Sequence, residues 1–175
     1  MKDYGLFIGI DNGYSGAIVM VDDLGHVYIH PMPTVTYELK TKSAKTGKPK
    51  HKTEYVLPVI VEIFKNHANE NPTVMLERAQ AMPSQGVVSM FSTGEGYGIM
   101  KGMLAALGVP FLTVRPQEWQ KEFGIGGDPR EAYLRAAQVF PREAAHLVTA
   151  RGAMRTGVAD ALLIAEYCRR KAAGG

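Results

Sequence analysis

The chain predicts an α/β domain, and three observations carry that prediction. Three short apolar runs near the start, residues 5–10, 17–21 and 26–30, are joined by brief turn sequences. Two more apolar runs, 73–76 and 110–114, alternate with segments of helical periodicity. The last helical segment, residues 157–170, is apolar nearly all round, which calls for burial. Strands interleaved with helices in 175 residues imply one sheet with helices packed on it, in a single domain spanning 1–175.

Residues 5–10 (Gly-Leu-Phe-Ile-Gly-Ile) read as a buried strand, and Asp11-Asn12-Gly13 opens a turn. Residues 17–21 form a second strand, Asp22 to Gly25 a second turn, and 26–30 a third strand. Turns this short imply an antiparallel meander. Residues 40–52 hold six lysines and no acid, with Gly47 and Pro49 inside and no apolar periodicity. They predict a flexible basic loop over about 38–53.

A helix follows from Glu54 to about His67, with Pro58 in its first turn. Residues 73–76 are the fourth strand, closed by Glu77. Residues 84–107 predict a long helix punctuated by glycines at 86, 94, 96, 98 and 102. Each such glycine costs about 1 kcal/mol against alanine. Tight packing on the sheet is expected for at least half of those from 94 to 102, and close approach of a partner helix or of DNA for the rest. Residues 110–114 are the fifth strand. Short helices are expected over 116–122 and 129–140 and after Pro141. Trp119 reads as a core residue, and Met90, Met100 and Met103 as helix packing that could extend to a subunit interface.

Hydrophobic residues make 46% and charged residues 21%, which excludes a disordered tail. No run approaches the ~20 apolar residues of a membrane span. The opening residues enter a strand at once, so no signal peptide is expected. The single cysteine, Cys168, lies in an apolar stretch and suits a reducing compartment. The net charge of +3 conceals opposed regions. Besides the basic run, residues 130–175 carry eight basic and four acidic side chains, and the remainder is acidic. Such patches favour a polyanion, although a solvated loop tip has the same composition.

Three acids stand where their segments predict burial. Asp11 follows one apolar strand, Glu77 follows another, and Asp160 lies in the first turn of the apolar last helix. Singly, each has a plain structural reading. Asp11 can build its turn, Glu77 can be a surface strand end, and Asp160 can complement the helix dipole with Thr156 as its cap. Jointly they suggest a site. Three buried carboxylates repel one another unless a cation lies between them, and oxygen-only ligands suit magnesium or manganese. Hydrolysis of phosphodiesters uses sites of this kind.

These residues, in this order, resemble RuvC-type Holliday junction resolvases, especially the phage-encoded branch, which have the ribonuclease H-like fold. The resemblance rests on Gly9-Ile10-Asp11-Asn12-Gly13, Leu76-Glu77, the glycine-punctuated stretch from Phe91 to Gly102, Pro116-Gln-Glu-Trp119 and Ala159-Asp160-Ala161-Leu162. It implies a five-stranded mixed sheet whose first three strands are antiparallel. It also implies a homodimer that nicks two opposed strands of a four-way DNA junction in a bacterial cytoplasm, away from any membrane. One or two Mg2+ or Mn2+ ions per subunit would activate the attacking water, leaving a 5′-phosphate and a 3′-hydroxyl. Asp11 would bridge the ions, with Glu77 and Asp160 on either side.

Two departures stand out. Asn12 replaces the family's usual proline, and the fourth metal-binding side chain that usually precedes the last aspartate is missing. Arg155, Thr156 and Gly157 occupy those places. Either three carboxylates suffice, or Thr156 supports a water, or another residue such as His146 reaches in.

The candidate DNA-binding residues are Lys40, Lys42, Lys45, Lys48, Lys50 and Lys52 of the basic run. To them are added Arg78 and Gln80 beside Glu77, Lys101 on the glycine-rich helix, and Arg151 and Arg155 before the last helix. Met82 or Gln85 could wedge into the junction centre. The competing readings are a general or RNA-directed nuclease of the same fold and a non-catalytic DNA-binding protein. An actin-like kinase or ATPase needs two lobes, for which the chain is too short.

Overall fold

The computed structural model describes residues 5–43, 46–80 and 86–174. Its strands are β1 (Leu6–Asp11), β2 (Ala17–Asp22), β3 (Val27–Pro31), β4 (Thr34–Lys42), β5 (Pro49–Tyr55), β6 (Thr73–Glu77) and β7 (Phe111–Val114). Its α-helices are α1 (Leu57–His67), α2 (Val87–Ala106), α3 (Pro116–Glu122), α4 (Pro129–Val139) and α5 (Thr156–Gly174). Short 3-10 segments lie at Ala68–Glu70 and Pro141–Leu147.

Five strands form the predicted mixed sheet, in the order β3-β2-β1-β6-β7. The first three are antiparallel, and β6 and β7 continue parallel to β1. Helices cover both faces, which is why β1, β2 and β6 read as continuous apolar runs rather than alternating ones. Leu6, Ile8, Ile10, Ile18, Met20, Val74 and Leu76 pack with Ile60 and Phe64 of α1 and Met100 and Leu104 of α2. Phe7, Val19, Val21 and Met75 pack on the other face with Trp119, Ala132, Ala136 and the buried side of α5. Leu162, Leu163 and Ile164 of α5 are fully buried, each contributing about 1.5–3 kcal/mol of transfer free energy.

Gly9 sets how closely α5 lies on the sheet. A Cβ at this position would collide with the Ala161 carbonyl oxygen and the Ala165 nitrogen. Its absence lets the backbone of α5 rest directly on β1. Cys168, buried further along α5, lies 3.4 Å from the Thr73 carbonyl. Among the described residues no helix is long and apolar enough to cross a membrane.

Two expectations need correction. The basic segment expected as a flexible loop over 38–53 is a β-ribbon, with β4 and β5 pairing antiparallel outside the main sheet. Thr36 faces Thr53, and Tyr37 faces Lys52. The turn between the strands is closed by Gly47 N–H donating to Ser43 O and Ser43 N–H to Lys48 O, both 2.8 Å. The ribbon was hidden because most of its residues are exposed, so no apolar alternation marks the strands. Backbone pairing and cross-strand contacts hold it instead.

The second correction concerns the α2 glycines. Only Gly96 is packed tightly, against the Tyr55 hydroxyl and the Asn12 carbonyl, whereas Gly94, Gly98 and Gly102 face open space. Met100 is core, Met103 packs beside it, and Met90 is exposed.

Candidate active site

Strand alternation brings the acids together. Phe7, Gly9 and Asp11 point to one face of β1, and Met75 and Glu77 to the same face of β6. Gly9 pairs with Met75 and Ile10 with Leu76 in parallel register, so Asp11 and Glu77 end their strands side by side. Both lie at the carboxyl ends of parallel strands, where open α/β sheets place their sites. The face they share is the one covered by α5, which begins at Thr156 and so carries Asp160 just beyond its first turn, not within it as expected.

The three are electrostatically coupled. Burial raises the Asp11 pKa, against one opposing hydrogen bond from Gly13 N–H at 3.0 Å. Burial, then the Asp11 charge, pushes Glu77 up to about 7. Burial, then Asp11 and Glu77, pushes Asp160 up to about 8. Glu166, buried farther along α5, behaves oppositely. Burial would raise its pKa, but hydrogen bonds from Arg169 at 2.8 and 3.0 Å and from Arg170 at 2.9 Å hold it low. Among the described residues, the three site acids have no such cation.

A buried, oxygen-only set of like charges with no counter-cation is the donor chemistry of a hard divalent ion. The set is not drawn in, since among the described residues no three His, Cys, Asp or Glu side chains reach the spacing of an assembled metal site. Of Arg155, Thr156 and Gly157, the last is closed to any side chain for a steric reason. A Cβ on Gly157 would stand 2.8 Å from Asp11 Oδ2, 2.7 Å from Gly16 Cα, and against the Ser15 carbonyl. Glycine is required there for α5 to reach the β1–β2 turn. His146 does not substitute; it is exposed and faces Glu143 at 3.8 Å.

Asp11 and Glu77 border a cleft of about 410 Å³, lined also by Arg78, Gln80, Thr93, Gln117 and Gln120. Arg78 and Gln80 therefore stand beside the acids, as expected. Arg155 borders a separate hollow of about 360 Å³ with Tyr14, Thr149 and Thr156. Arg151 is exposed in the turn before α5. Lys101 is on the outer side of α2, its Nζ 5.2 Å from the Tyr97 ring centroid, and does not line the cleft. Lys40, Lys42, Lys48 and Lys50 are exposed on the ribbon, and Lys52 pairs with Glu54 at 2.5 Å. Lys45, Met82 and Gln85 lie outside the described residues.

Several residues make contacts that the sequence did not indicate. Asn12 is buried, donates from Nδ2 to the Glu77 carbonyl at 2.7 Å, and accepts the Tyr55 hydroxyl on its own carbonyl at 2.7 Å. It ties the ends of β1, β6 and the ribbon together. Trp119 is buried as expected, and its indole N–H donates to Glu77 Oε1 at 2.9 Å. Gln117 and Gln120 reach the cleft from α3.

No protein-family model matches the chain, and no curated protein does. Solved structures do. A Thermus thermophilus RuvC in complex with a Holliday junction substrate superposes with a TM-score of 0.54 at 13% identity, covering 95% of this chain and 96% of that one. A second Thermus thermophilus RuvC structure gives 0.53 at 15% identity over the same shares. At such identity the likeness establishes a shared fold, so the chain has a RuvC-like, ribonuclease H-like α/β architecture along nearly its whole length.

Proposed function

We propose that this chain is a divalent-cation-dependent endodeoxyribonuclease that resolves four-way DNA junctions by paired nicks, acting as a homodimer of single nuclease domains. The observation that supports this reading is that Asp11 and Glu77 end adjacent parallel strands of a RuvC-like sheet and are electrostatically coupled to Asp160 on α5, all three buried and with no counter-cation among the described residues. The superposed structure that holds a Holliday junction supports branched DNA as the substrate. The ordered motifs from Gly9 to Leu162 support the phage-like branch and action in a bacterial cytoplasm.

Asp11, Glu77 and Asp160 would hold Mg2+ or Mn2+, one or two ions per subunit. Such an ion, when bound, supplies a water of lowered pKa and stabilises charge on the scissile phosphate. The chain's own residues do the rest. Asn12 and Gly13 fix the turn carrying Asp11. Arg78, Gln80 and the two α3 glutamines line the path of the cut strand. Lys40, Lys42, Lys45, Lys48, Lys50 and Lys52 engage phosphates of a duplex arm, with Lys101, Arg151 and Arg155 adding to them.

The test is a comparative cleavage assay with Mg2+ or Mn2+ on a four-way junction, a linear duplex and an RNA–DNA hybrid. The junction should be cut into paired nicked duplexes, and Asp11→Asn should abolish cutting while sparing binding. Equal cutting of all three substrates would instead favour a general nuclease. Normal cutting by Asp11→Asn would refute the site.

A further inference from the structure

We infer that Trp119 is a positioning residue that sets the orientation of the Glu77 carboxylate, and that the indole N–H, rather than the bulk of the ring, is the part that matters at the site. The inference rests on the cation-dependent reading above. Three observations support it. The indole donates to Glu77 Oε1 at 2.9 Å, the one side-chain bond to that carboxylate among the described residues. The ring is 1% exposed and locked among core side chains, so its N–H direction is fixed by packing. Its helix α3 is itself anchored, with Pro116 in the first turn and Arg115 N–H donating to Glu118 Oε2 at 2.8 Å.

The geometry gives the bond a task. A glutamate beside a like charge tends to swing away from it, and Glu77 feels Asp11. Swinging away would leave a buried indole N–H unpaired, at a cost of about 1–3 kcal/mol. The bond therefore holds Oε1 on the α3 side of a carboxylate that lines the cleft with Asp11. Partners that orient a metal ligand in this way typically change metal affinity about 10–100-fold when removed. Packing alone makes no such demand, because an apolar ring of the same shape would fill the same space.

The chain has a single tryptophan, which makes the test specific. Growth of a tryptophan auxotroph on 3-benzothienylalanine replaces the indole N–H by sulfur at this position alone and keeps the ring's shape. Mn2+ binding to the full-length wild-type and replaced proteins is then measured by calorimetry, with thermal melting to confirm the fold. The expected result is a dissociation constant raised about tenfold or more in the replaced protein, with its melting transition still cooperative. Trp119→Phe, which also lacks the donor, should show the same direction of change. In the wild type, Mg2+ should alter the emission of Trp119, since the cation draws on the carboxylate to which the indole is bonded. Equal Mn2+ affinity in wild-type and replaced proteins would overturn the positioning role while leaving the cation site intact. A wild type that binds no more Mn2+ than Asp11→Asn would overturn both.

Discussion

At the scale of single residues, the site acids work against the stability of the fold that holds them. The folded pKa values of Glu77 and Asp160, about 7 and about 8, lie above the ordinary carboxylate range. Between about pH 4 and those values the folded protein binds more protons than the unfolded chain. Stability of the metal-free protein should therefore be highest below that window and fall as pH rises through it. Asp160→Asn removes the group that loses most, and at pH 8 it should stabilise the metal-free protein by about 1–3 kcal/mol, or several degrees in Tm. At pH 4, where Asp160 is protonated, the variant should melt like the wild type. Thermal melts across pH in the presence of a chelator check this. A variant no more stable than the wild type at pH 8 would mean that Asp160 is neither buried nor opposed by the other two charges. These three acids were legible in the sequence because each interrupts an apolar run. Asn12, Tyr55 and Trp119 were not, because each acts on a partner 42 to 65 residues away. Nothing local marks such a partner.

At the scale of elements, the sheet could be read in advance and the ribbon could not, for one physical reason. Strands buried on both faces announce themselves as apolar runs, and β1, β2 and β6 did so. A ribbon bathed by water on both faces has no such pattern, so β4 and β5 look like loop. The missed order changes what the lysines can do. Lysines on a mobile loop act as loose point charges, whereas Lys40, Lys42, Lys48 and Lys50 project from a paired scaffold. That scaffold is anchored through the Tyr55 hydroxyl to the Asn12 carbonyl, one residue from Asp11. If DNA is seated on the ribbon as proposed, it would thereby be tied to the turn that carries Asp11. Among the described residues those four lysines make no ion pair, while Lys52 is engaged with Glu54. Changing the four to glutamine should leave the melting temperature nearly unchanged. It should weaken junction binding at low salt and flatten the slope of log affinity against log salt by about 0.9 for each phosphate no longer neutralised. Filter binding or fluorescence anisotropy over a salt series measures this. An unchanged slope would mean that the ribbon does not touch DNA.

At the scale of the whole molecule, one face has no partner among the described residues. Val87, Phe91, Gly94, Gly98 and Gly102 recur at helical spacing along the outside of α2, a helix of 20 residues. Val87 is 82% and Phe91 73% exposed, and added Cβ atoms at the three glycines would meet open space. Apolar side chains followed by bare backbone let a second helix approach closely, and the glycines are otherwise a cost to α2. A second copy of this chain is the occupant the proposed reaction calls for, because nicking two opposed strands requires two sites acting in one complex. Light scattering on the purified protein should therefore give twice the chain mass of 19.1 kDa. Replacing Val87 and Phe91 together by glutamate should give a folded monomer, since neither side chain belongs to a core cluster. That monomer should keep its three acids and its ribbon, and lose the pairing of its cuts, leaving junctions nicked on one strand. A wild type that scatters as a monomer on junction DNA would exclude the dimer. A glutamate variant that stays dimeric would move the interface away from α2.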